Sequence, residues 1–517
     1  MRADLTLSPE AASTHERLVA AAAHALGMPL DDITGLRVLR RSIDARRKPI
    51  VVNLTIEVST LAQPLAPTPT AFLYPDVSQS KTVHIVGAGP AGLFAALRLI
   101  ELGLRPVILE RGQEVSARKR DIAKIHREHS LQSESNYCFG EGGAGAFSDG
   151  KLYSRSKKRG DNAHTLERFH FHGAAEAITY EAHPHIGSDK LPGIITAIRK
   201  TICQAGGDVR FGSQVTELLI DNDAVKGLAL ASGETLECNA VILATGHSAH
   251  DVYEMLNRQG IPLEAKAFAM GVRIEHPQTL INAIQYSRDP AQAPWLPPAS
   301  YSLAHQSDGR GVYSFCMCPG GFIVPAATVP DTIVVNGMSP SLRNSPFANA
   351  GLVVETRLED IPGYDGTDAL AGLRFQQTLE RLAFQHAGGG QTAPAQRVAD
   401  FVNSRHSRDL PESSYIPGLY ASALHEWLPR HIGARLQDGI RAFDRKMRGF
   451  LTREAVVVGV ESRTSSPVRI PRDRATYQHL KIRGLYPCGE GAGYAGGILS
   501  SAIDGENCAE ALAQQLS

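Results

Sequence analysis

The sequence predicts an α/β protein of more than one domain. Its 517 residues exceed the ~250–300 at which a single hydrophobic core stops growing. Residues 82–110 are typical of a short buried strand, a glycine turn, a helix and a second strand, which together form the β-α-β unit of a parallel sheet. Pro64, Pro67, Pro69 and Pro75 separate this unit from a smaller N-terminal segment.

The N-terminal segment has its own secondary-structure pattern. Thr14 can cap a helix over residues 14–28, and two β-rich stretches follow at about 35–39 and 50–58. We therefore expect a small α/β module, ferredoxin-like in pattern, over residues 1–60, with a linker over 61–80. The stretch between its two strands is basic, and its cations are Arg37, Arg40, Arg41, Arg46, Arg47 and Lys48.

Composition argues against several classes of protein. Lys and Arg total 53, as do Asp and Glu, so net charge does not indicate a nucleic acid partner. No apolar run reaches the ~20 residues that cross a membrane, and the first residues lack the pattern of a signal peptide. Seven cysteines without a dense framework favour a reducing compartment. We therefore expect a soluble, cytoplasmic protein.

The glycine turn carries a dinucleotide-binding fingerprint, Gly87-x-Gly89-x-x-Gly92. The first glycine permits the tight turn, the second lets the backbone approach a pyrophosphate, and the third lets the helix pack on the strand. The pyrophosphate is then expected at the helix N-terminus, where free N–H groups favour anions. Glu110 ends the second strand, 18 residues after Gly92, where a carboxylate can bind a ribose diol. The predicted site also includes Ala88, Pro90, Ala91 and Arg111.

Two distant motifs favour FAD over NAD as the dinucleotide. Residues 240–247 place Ala244, Thr245 and Gly246 at the end of an apolar strand, as in the A-T-G segment of flavoproteins with two dinucleotide-binding domains. Residues 484–505 resemble the C-terminal G-D motif of the same proteins, with a glutamate in place of the aspartate. The helix that follows can aim its N-terminus at the flavin and stabilise negative charge there. The predicted contacts in this motif are Gly489, Glu490, Gly497 and Ile498.

A second glycine-rich loop, FGEGGAGAFSDGKL, spans residues 139–152. Its backbone N–H groups, at Gly142 and Gly143 in particular, can face cofactor oxygens. A flexible surface lid is the alternative interpretation. The D-G pair at the end of this loop matches a riboflavin-binding motif of some monooxygenases only by chance, since no strand precedes it. Val215, within a strand predicted over residues 207–218, completes the predicted cofactor site.

Together these stretches resemble a bacterial family of uncharacterised FAD-dependent dehydrogenases, related to NAD(FAD)-utilising dehydrogenases. The matching segments span about residues 40–505 and include RRSIDARRKP, VHIVGAGPAGLFAA, FGEGGAGAFSDGKL, GVRIEHPQ, FCMCPGG, VVNGMS, SRTSSPVRI and GLYPCGEGAGYAGGI. The resemblance implies the fold and FAD as cofactor, but no substrate.

Because residues near 87 and 490 must meet at one flavin, the middle of the chain is expected to form an insertion. We predict a Rossmann-like, discontinuous FAD-binding domain over 81–260 and 470–517, with an α+β substrate or cap domain over 261–469. In the cap, Arg273 and Arg463 are candidate groups for holding an anionic substrate. Structural ion pairs are the alternative for both. His247, after the A-T-G turn, is either a packing residue or a proton relay.

Cys316 and Cys318 are separated by one residue, so on a strand both sulfurs can point the same way. Three interpretations are open: a redox dithiol, half of a metal site, or small residues packed near the flavin or substrate. No spacing elsewhere is strong enough to predict a metal site.

The sequence predicts an FAD-dependent oxidoreductase that moves hydride between flavin and an organic small molecule. Only one dinucleotide fingerprint is visible, so electrons come from transiently bound NAD(P)H, from the substrate or from a partner protein. Two rivals remain: a flavoenzyme acting on RNA through the basic N-terminal stretch, and a non-catalytic flavin-bound binding protein. The substrate, electron donor and oligomeric state stay open.

Overall fold

A computed structural model describes residues 1–46, 48–65, 72–152, 162–287 and 294–516. Arg47, Pro67 and Pro69 lie outside these ranges, as does the end of the D-G stretch from Tyr153 on. The predicted α/β class is confirmed, because a parallel sheet is combined with helices and with a separate mixed sheet. No helix in the described part of the chain is long and apolar enough to cross a bilayer.

The N-terminal module is a three-stranded antiparallel sheet with one helix. Its elements are β1 (Arg2–Leu7), α1 (His15–Leu26), β2 (Gly35–Asp44) and β3 (Val51–Ser59), and the sheet order is β1-β3-β2. Thr14 caps α1 by accepting from the N–H of Arg17, as predicted. This β-α-β-β order is the first part of the ferredoxin-like pattern. Strand β1 was not predicted, and β2 extends through much of the basic stretch.

The module has its own core, formed by the buried face of β3. Every second residue over most of β3 is buried, as in a strand with one face on a core: Val52, Leu54, Ile56 and Val58. Its contacts with the rest of the protein include two backbone hydrogen bonds of Arg41, with Tyr180 and Ala182, and an ion pair of Arg41 with Glu181.

Strands from both ends of the chain lie in one parallel sheet. It holds β4 (Thr82–Val86), β5 (Arg105–Leu109), β6 (Asp208–Arg210), β10 (Val241–Leu243) and β22 (Leu485–Pro487), in the order β22-β10-β4-β5-β6. A three-stranded meander precedes β10 and holds β7 (Val215–Asp221), β8 (Ala224–Leu230) and β9 (Thr235–Glu237). The chain segments around residues 87 and 490 therefore come together as expected, while the predicted domain boundaries stay predictions.

Helices surround this sheet. They are α2 (Pro90–Glu101), α3 (Val115–Glu128), α4 (Asn162–Phe171), α5 (Leu191–Gln204), α6 (His250–Arg258) and the C-terminal α12 (Ile498–Leu516). Helices α2 and α12 pack so closely that a Cβ at Gly505 would overlap the carbonyl oxygen of Ala91. The two helices that begin at the predicted cofactor site are thus held together by backbone contact.

The insertion is built on a seven-stranded, largely antiparallel sheet in the order β13-β14-β17-β12-β20-β18-β19. These strands are β12 (Phe268–Pro277), β13 (Ala304–Ser307), β14 (Arg310–Cys318), β17 (Phe347–Thr356), β18 (Ala393–Arg397), β19 (Leu419–Ala421) and β20 (Val456–Glu461). Two short pairs accompany it: β11 (Glu264–Ala265) with β21 (Val468–Arg469), and β15 (Phe322–Pro325) with β16 (Val335–Met338). Its helices are α7 (Gln278–Tyr286), α8 (Ala371–Gln385), α9 (Val398–Val402), α10 (Leu424–Trp427) and α11 (Arg430–Lys446).

One buried arginine of α3 fixes the second glycine loop. The side chain of Arg118 is fully buried, and its guanidinium donates to the carbonyl oxygens of Asn136, Tyr137, Glu141 and Gly143 at 2.7–3.0 Å. Burial lowers the pKa of Arg118 to about 10, which still leaves it charged at neutral pH. An irregular loop is thereby held in place by a side chain rather than by a strand.

Replacing this arginine is expected to destabilise the protein. The change Arg118→Met leaves buried carbonyl groups without donors, and we expect a loss of at least about 3 kcal/mol, or roughly 6 °C or more in Tm. Thermal unfolding followed by circular dichroism measures this shift. The control is Arg120→Met on the exposed face of α3. Equal shifts in the two variants would show that the four carbonyl contacts contribute nothing specific.

The N-terminal module is expected to be dispensable for the rest of the fold. Its core is separate, and its contacts with the cap, which include Ala45, Ile50 and a hydrogen bond from Lys48 to the carbonyl oxygen of Gln285, lie in the connection between β2 and β3. Deletion of residues 1–61 should therefore leave the Tm of the main body within a few degrees. The same preparation should bind as much flavin as the full chain, measured by visible absorbance after reconstitution. Loss of flavin binding on deletion would make the module part of the cofactor domain.

Candidate functional site

The first glycine turn connects β4 to α2. Gly87 has a φ of +105°, and a Cβ there would lie 2.5 Å from the carbonyl oxygen of Ala244. A Cβ at Gly92 would overlap the carbonyl oxygen of Gly87, so both positions require glycine. Gly89 differs, since the nearest atom to a Cβ there is the Cα of Gly143, at 4.0 Å. Open space therefore adjoins Gly89 at the N-terminus of α2.

Glu110 lies at the end of β5 and is buried beside this turn. Its carboxylate accepts hydrogen bonds from the backbone N–H groups of Ala88, Gly112 and Gly140 at 2.8–3.0 Å. The side chain thus ties the first glycine turn to the second glycine loop. Sequence reasoning placed the carboxylate correctly, but did not foresee this bridging role.

The second glycine loop packs against the first. The N–H of Gly142 donates to the carbonyl oxygen of Ala88 at 2.8 Å, and a Cβ at Gly143 would lie 3.2 Å from the Cα of Gly89. Glu141 in the same loop is fully buried, accepts from the N–H of Val115 and pairs with Arg199. The loop is therefore a fixed wall beside Gly89, which disfavours the alternative of a flexible lid.

The two remaining motifs, at residues 244–246 and 489–498, lie close to the glycine turn and the second glycine loop. A Cβ at Gly491 would lie 2.6 Å from the carbonyl oxygen of Gly246, and one at Gly489 would lie 3.0 Å from the Cβ of Ala91. A Cβ at Gly145 would lie 3.1 Å from Ile498, the first residue of α12. Residues 87–92, 140–145, 244–246 and 489–498 thus converge, and we name these four segments the cofactor cradle. Thr245 and Gly497 lie within it, as does Pro90 at the start of α2.

Two predicted cofactor residues have other contacts. Arg111 pairs with Glu134 and Asp251 and lies over the ring of Phe139, with 4.3 Å from its guanidinium carbon to the ring centroid. Val215 begins β7 and its side chain belongs to the hydrophobic core. The side chains of both residues are therefore already engaged in the protein.

A small cavity separates the cradle from the cap sheet. It measures about 20 Å³, which is room for about one water-sized group. Ala144, His247 and Ser248 line one side, while Asn336, Glu461 and Arg463 line the other. The Nδ1 atom of His247 lies 3.5 Å from a carboxylate oxygen of Glu490. The buried hydroxyl of Ser248 has no hydrogen-bond partner among the described residues.

The two arginines proposed as substrate ligands lie in buried ion pairs. Arg273 is fully buried and donates to Glu461 at 3.0 Å, to Asn349 and to the carbonyl oxygen of Cys316. Arg463 donates to the carboxylate of Glu380 at 2.8 Å. Both arginines are therefore in structural ion pairs, which was the alternative to a role in holding substrate. Strand alternation could not reveal it, because Glu461 lies 188 residues from Arg273.

The paired cysteines lie beside a lysine that sequence reasoning missed. The Nζ of Lys151 is 3.8 Å from the Sγ of Cys316 and 3.8 Å from that of Cys318. Both sulfurs therefore lie near one ammonium group, but β14 is irregular at this pair, so the expectation that strand alternation points them the same way stays a prediction. Because an ammonium group contacts both sulfurs, a metal ion between them is disfavoured.

Two groups of metal-capable side chains come together in the described residues. His406, His425 and Glu426 form one at the surface; Cys488, Asp504 and Cys508 form the other, which is buried. In the buried group, Arg472 donates to Asp504 at 2.9 Å and lies 3.4 Å from the Sγ of Cys508. The guanidinium of Arg472 thus already supplies the positive charge beside Asp504 and Cys508.

Three of the six cations in the basic stretch of the N-terminal module lie beside a carboxylate in the described part of the chain. Arg37 lies 3.8 Å from Glu57, Arg41 pairs with Glu181, and Arg46 pairs with Asp44. These contacts weaken the case for a nucleic acid surface, since part of the charge is matched within the protein.

Three family models match the chain. A FAD binding domain matches residues 80–132, a FAD-dependent protein C-terminal domain-like model matches 267–464, and a domain of unknown function matches 2–59. The second matched range falls within the predicted cap.

The chain is also similar to known proteins over most of its length. A protein of unassigned function from Clostridium beijerinckii is 41% identical over 504 residues, covering 94% of this chain and 93% of the relative. The crystal structure of CtdE in complex with FAD is 12% identical, with a TM-score of 0.32 and coverage of 85% and 89%. Glycine oxidase from Bacillus cereus is 13% identical, with a TM-score of 0.31 and coverage of 85% and 96%.

TM-scores this low carry no argument about the overall fold, so the assignment of this chain to a family depends on the family models and the Clostridium relative. The chain belongs to the family of FAD-dependent proteins that includes this relative, and its cofactor is FAD.

Proposed function

We propose that the protein is an FAD-dependent oxidoreductase that transfers hydride between the flavin and a small organic substrate at the junction of cradle and cap. The observation that supports this most is the convergence of the four glycine segments next to a cavity closed on its other side by cap residues. Because the cavity is small, only the reactive end of a substrate fits without movement of the cap.

The cradle residues suit the parts of FAD. Open space at Gly89 and the N-terminus of α2 suit the pyrophosphate, and the carboxylate of Glu110 suits a ribose diol. The N-terminus of α12, beginning at Ile498, suits a ring that gains negative charge. When bound, FAD supplies the hydride-transfer chemistry of its isoalloxazine ring.

The protein's own contribution to proton movement is assigned to His247. Its ring lines the cavity and lies beside Glu490, so the imidazole can hold a proton at the junction. His250 is unsuited to this role, because burial and the nearby Arg463 lower its pKa to about 3. The unpaired hydroxyl of Ser248 is available to orient a polar substrate atom.

Neither rival function is favoured by a specific contact. The ion pairs of the basic stretch disfavour RNA docking. The electron donor or acceptor stays open among NAD(P)H, the substrate and a partner protein.

The proposal is tested by an anaerobic screen. Reconstituted holoprotein is mixed with fractionated metabolite pools, and bleaching of the oxidised-flavin absorbance band is followed over time. We expect at least one fraction to bleach the flavin, and reoxidation by an added acceptor to restore the absorbance. Absence of bleaching by every fraction, by NADH and by NADPH would favour the non-catalytic rival.

Valine at Gly89 is expected to block cofactor binding without unfolding the protein. The site of its Cβ is open in the protein alone, but lies where the pyrophosphate must approach. We expect a rise in Kd for FAD of about 100-fold or more, or about 2.7 kcal/mol, measured by flavin fluorescence titration. The matched control is Gly193→Val on α5, where a Cβ also meets open space. Full flavin binding by Gly89→Val would show that the pyrophosphate lies elsewhere.

Asparagine at His247 is expected to retain FAD and to slow the reaction. Removal of a proton-transfer group costs about 100-fold or more in the rate of flavin bleaching by the active fraction. Stopped-flow absorbance measures this rate, and the pH profile should flatten. The control is His406→Asn, an exposed histidine outside the cavity lining. An unchanged rate and pH profile would make His247 a packing residue.

A further inference from the structure

The end of β14 is irregular at the two cysteines. Phe315 pairs with Gly351 and Cys318 with Asn349, so β14 carries one extra residue relative to β17, which is a β-bulge. Within it Cys316 adopts a φ of +44°, a left-handed conformation rare for residues other than glycine and asparagine. Such conformations concentrate at functional sites.

Two cations from different segments approach the cysteine pair. Lys151 comes from the end of the second glycine loop and contacts both sulfurs at 3.8 Å. Arg273 of β12 donates to the carbonyl oxygen of Cys316 at 2.8 Å, and its Nη2 lies 3.5 Å from the Sγ of Cys318. Both groups stabilise a thiolate over a thiol.

Opposing groups are present but are themselves paired. The Oδ2 of Asp149 lies 3.6 Å from Lys151 and also accepts from Arg343, while Glu461 pairs with Arg273. The other titratable groups around these residues are Glu275, which accepts from Ser414, Tyr301, whose pKa burial raises, and His185, whose pKa burial lowers. The lysine therefore retains a net attraction for negative charge on sulfur.

The two thiols are unequal. A hydrogen bond from the Cys318 thiol, together with Lys151 and Arg273, lowers the pKa of Cys316, while the pKa of Cys318 is raised. Cys318 is fully buried and Cys316 is half-buried. Cys316 is therefore the more exposed of the two residues and the one whose thiolate form is favoured, while Cys318 lies deeper and holds its proton more firmly.

We propose that Cys316 and Cys318 form a thiol–disulfide exchange site for small disulfides, with Cys316 as the attacking thiolate and Cys318 as the resolving thiol. This activity is additional to the flavin reaction and does not depend on the identity of its substrate. Lys151 is the positioning residue that holds the thiolate.

The exchange balances in two steps. The Cys316 thiolate attacks one sulfur of a disulfide R–S–S–R, forming a mixed disulfide and releasing RS⁻, which takes up a proton. Cys318 then loses its proton and attacks the Sγ of Cys316, which closes the Cys316–Cys318 disulfide and releases the second RS⁻. The substrate gains two electrons and two protons; the cysteine pair loses two electrons and the one proton of Cys318, and solvent supplies the other proton.

The first test measures thiolate character. Purified protein is alkylated with limiting iodoacetamide at pH 6.5, and each cysteine is quantified by peptide mass spectrometry. We expect Cys316 to react at least about 10-fold faster than Cys203, which is exposed but has a raised pKa. Lys151→Met should remove this advantage, and Lys151→Arg should restore part of it. Equal rates at the two cysteines in the native protein would overturn the proposal.

The second test follows the exchange. Protein is incubated with hydroxyethyl disulfide, and intact masses are recorded before and after reduction. We expect wild type to lose two thiol hydrogens without retaining an adduct, whereas Cys318→Ser should stop at a mixed disulfide on Cys316.

The controls make the second test decisive. Cys203→Ser should behave as wild type, and Cys316→Ser should retain both its flavin and its unreacted Cys318. A stable adduct on wild type, or loss of the reaction only in Cys203→Ser, would overturn the proposal. Because no flavin substrate is used, failure here leaves the proposed oxidoreductase function untouched.

Discussion

The site depends on one buried guanidinium. Arg118 satisfies four backbone carbonyls in and just before the second glycine loop, and this segment, which has almost no regular secondary structure, could not otherwise be buried without unpaired polar groups. The carboxylate of Glu110 likewise accepts hydrogen bonds from N–H groups on both glycine segments. These two charged side chains turn flexible, glycine-rich backbone into a rigid wall. Gly143 can therefore lie against Gly89 and define the space expected for the cofactor.

Local sequence patterns predicted the cradle because its requirements are local. Gly87 and Gly92 are needed within one turn, and the strands and helices on either side carry the apolar periodicity of buried elements. The convergence of residues 244–246 and 489–498 followed from a topological argument, since both motifs had to reach one flavin. The short strand β1 was missed because its alternation is brief and lies before any turn signal.

The charged residues were harder to predict because their partners are distant in sequence. Arg118 lies in a helix rich in Lys and Arg, where nothing distinguishes the buried guanidinium from its exposed neighbours. Glu461 lies 188 residues from Arg273, and Lys151 lies 167 residues from Cys318. A sequence pattern shows which residue types are present, but a cation's function depends on whether the tertiary fold supplies it with an anion.

Arg273 is a cap residue whose partners, although distant in sequence, connect the cap with the cofactor cradle. Its buried charge requires compensation, because an unpaired guanidinium in the core is strongly unfavourable. Glu461 provides part of this from the cavity wall, and the Sγ of Cys318 lies 3.5 Å from the Nη2 of the same guanidinium. A substrate anion is therefore not needed to explain the arginine. The second glycine loop, which lies in the cofactor cradle at Gly145, also carries Lys151, whose Nζ is 3.8 Å from both sulfurs. One stretch of backbone thus contributes both to the cradle and to the charge at the thiol pair.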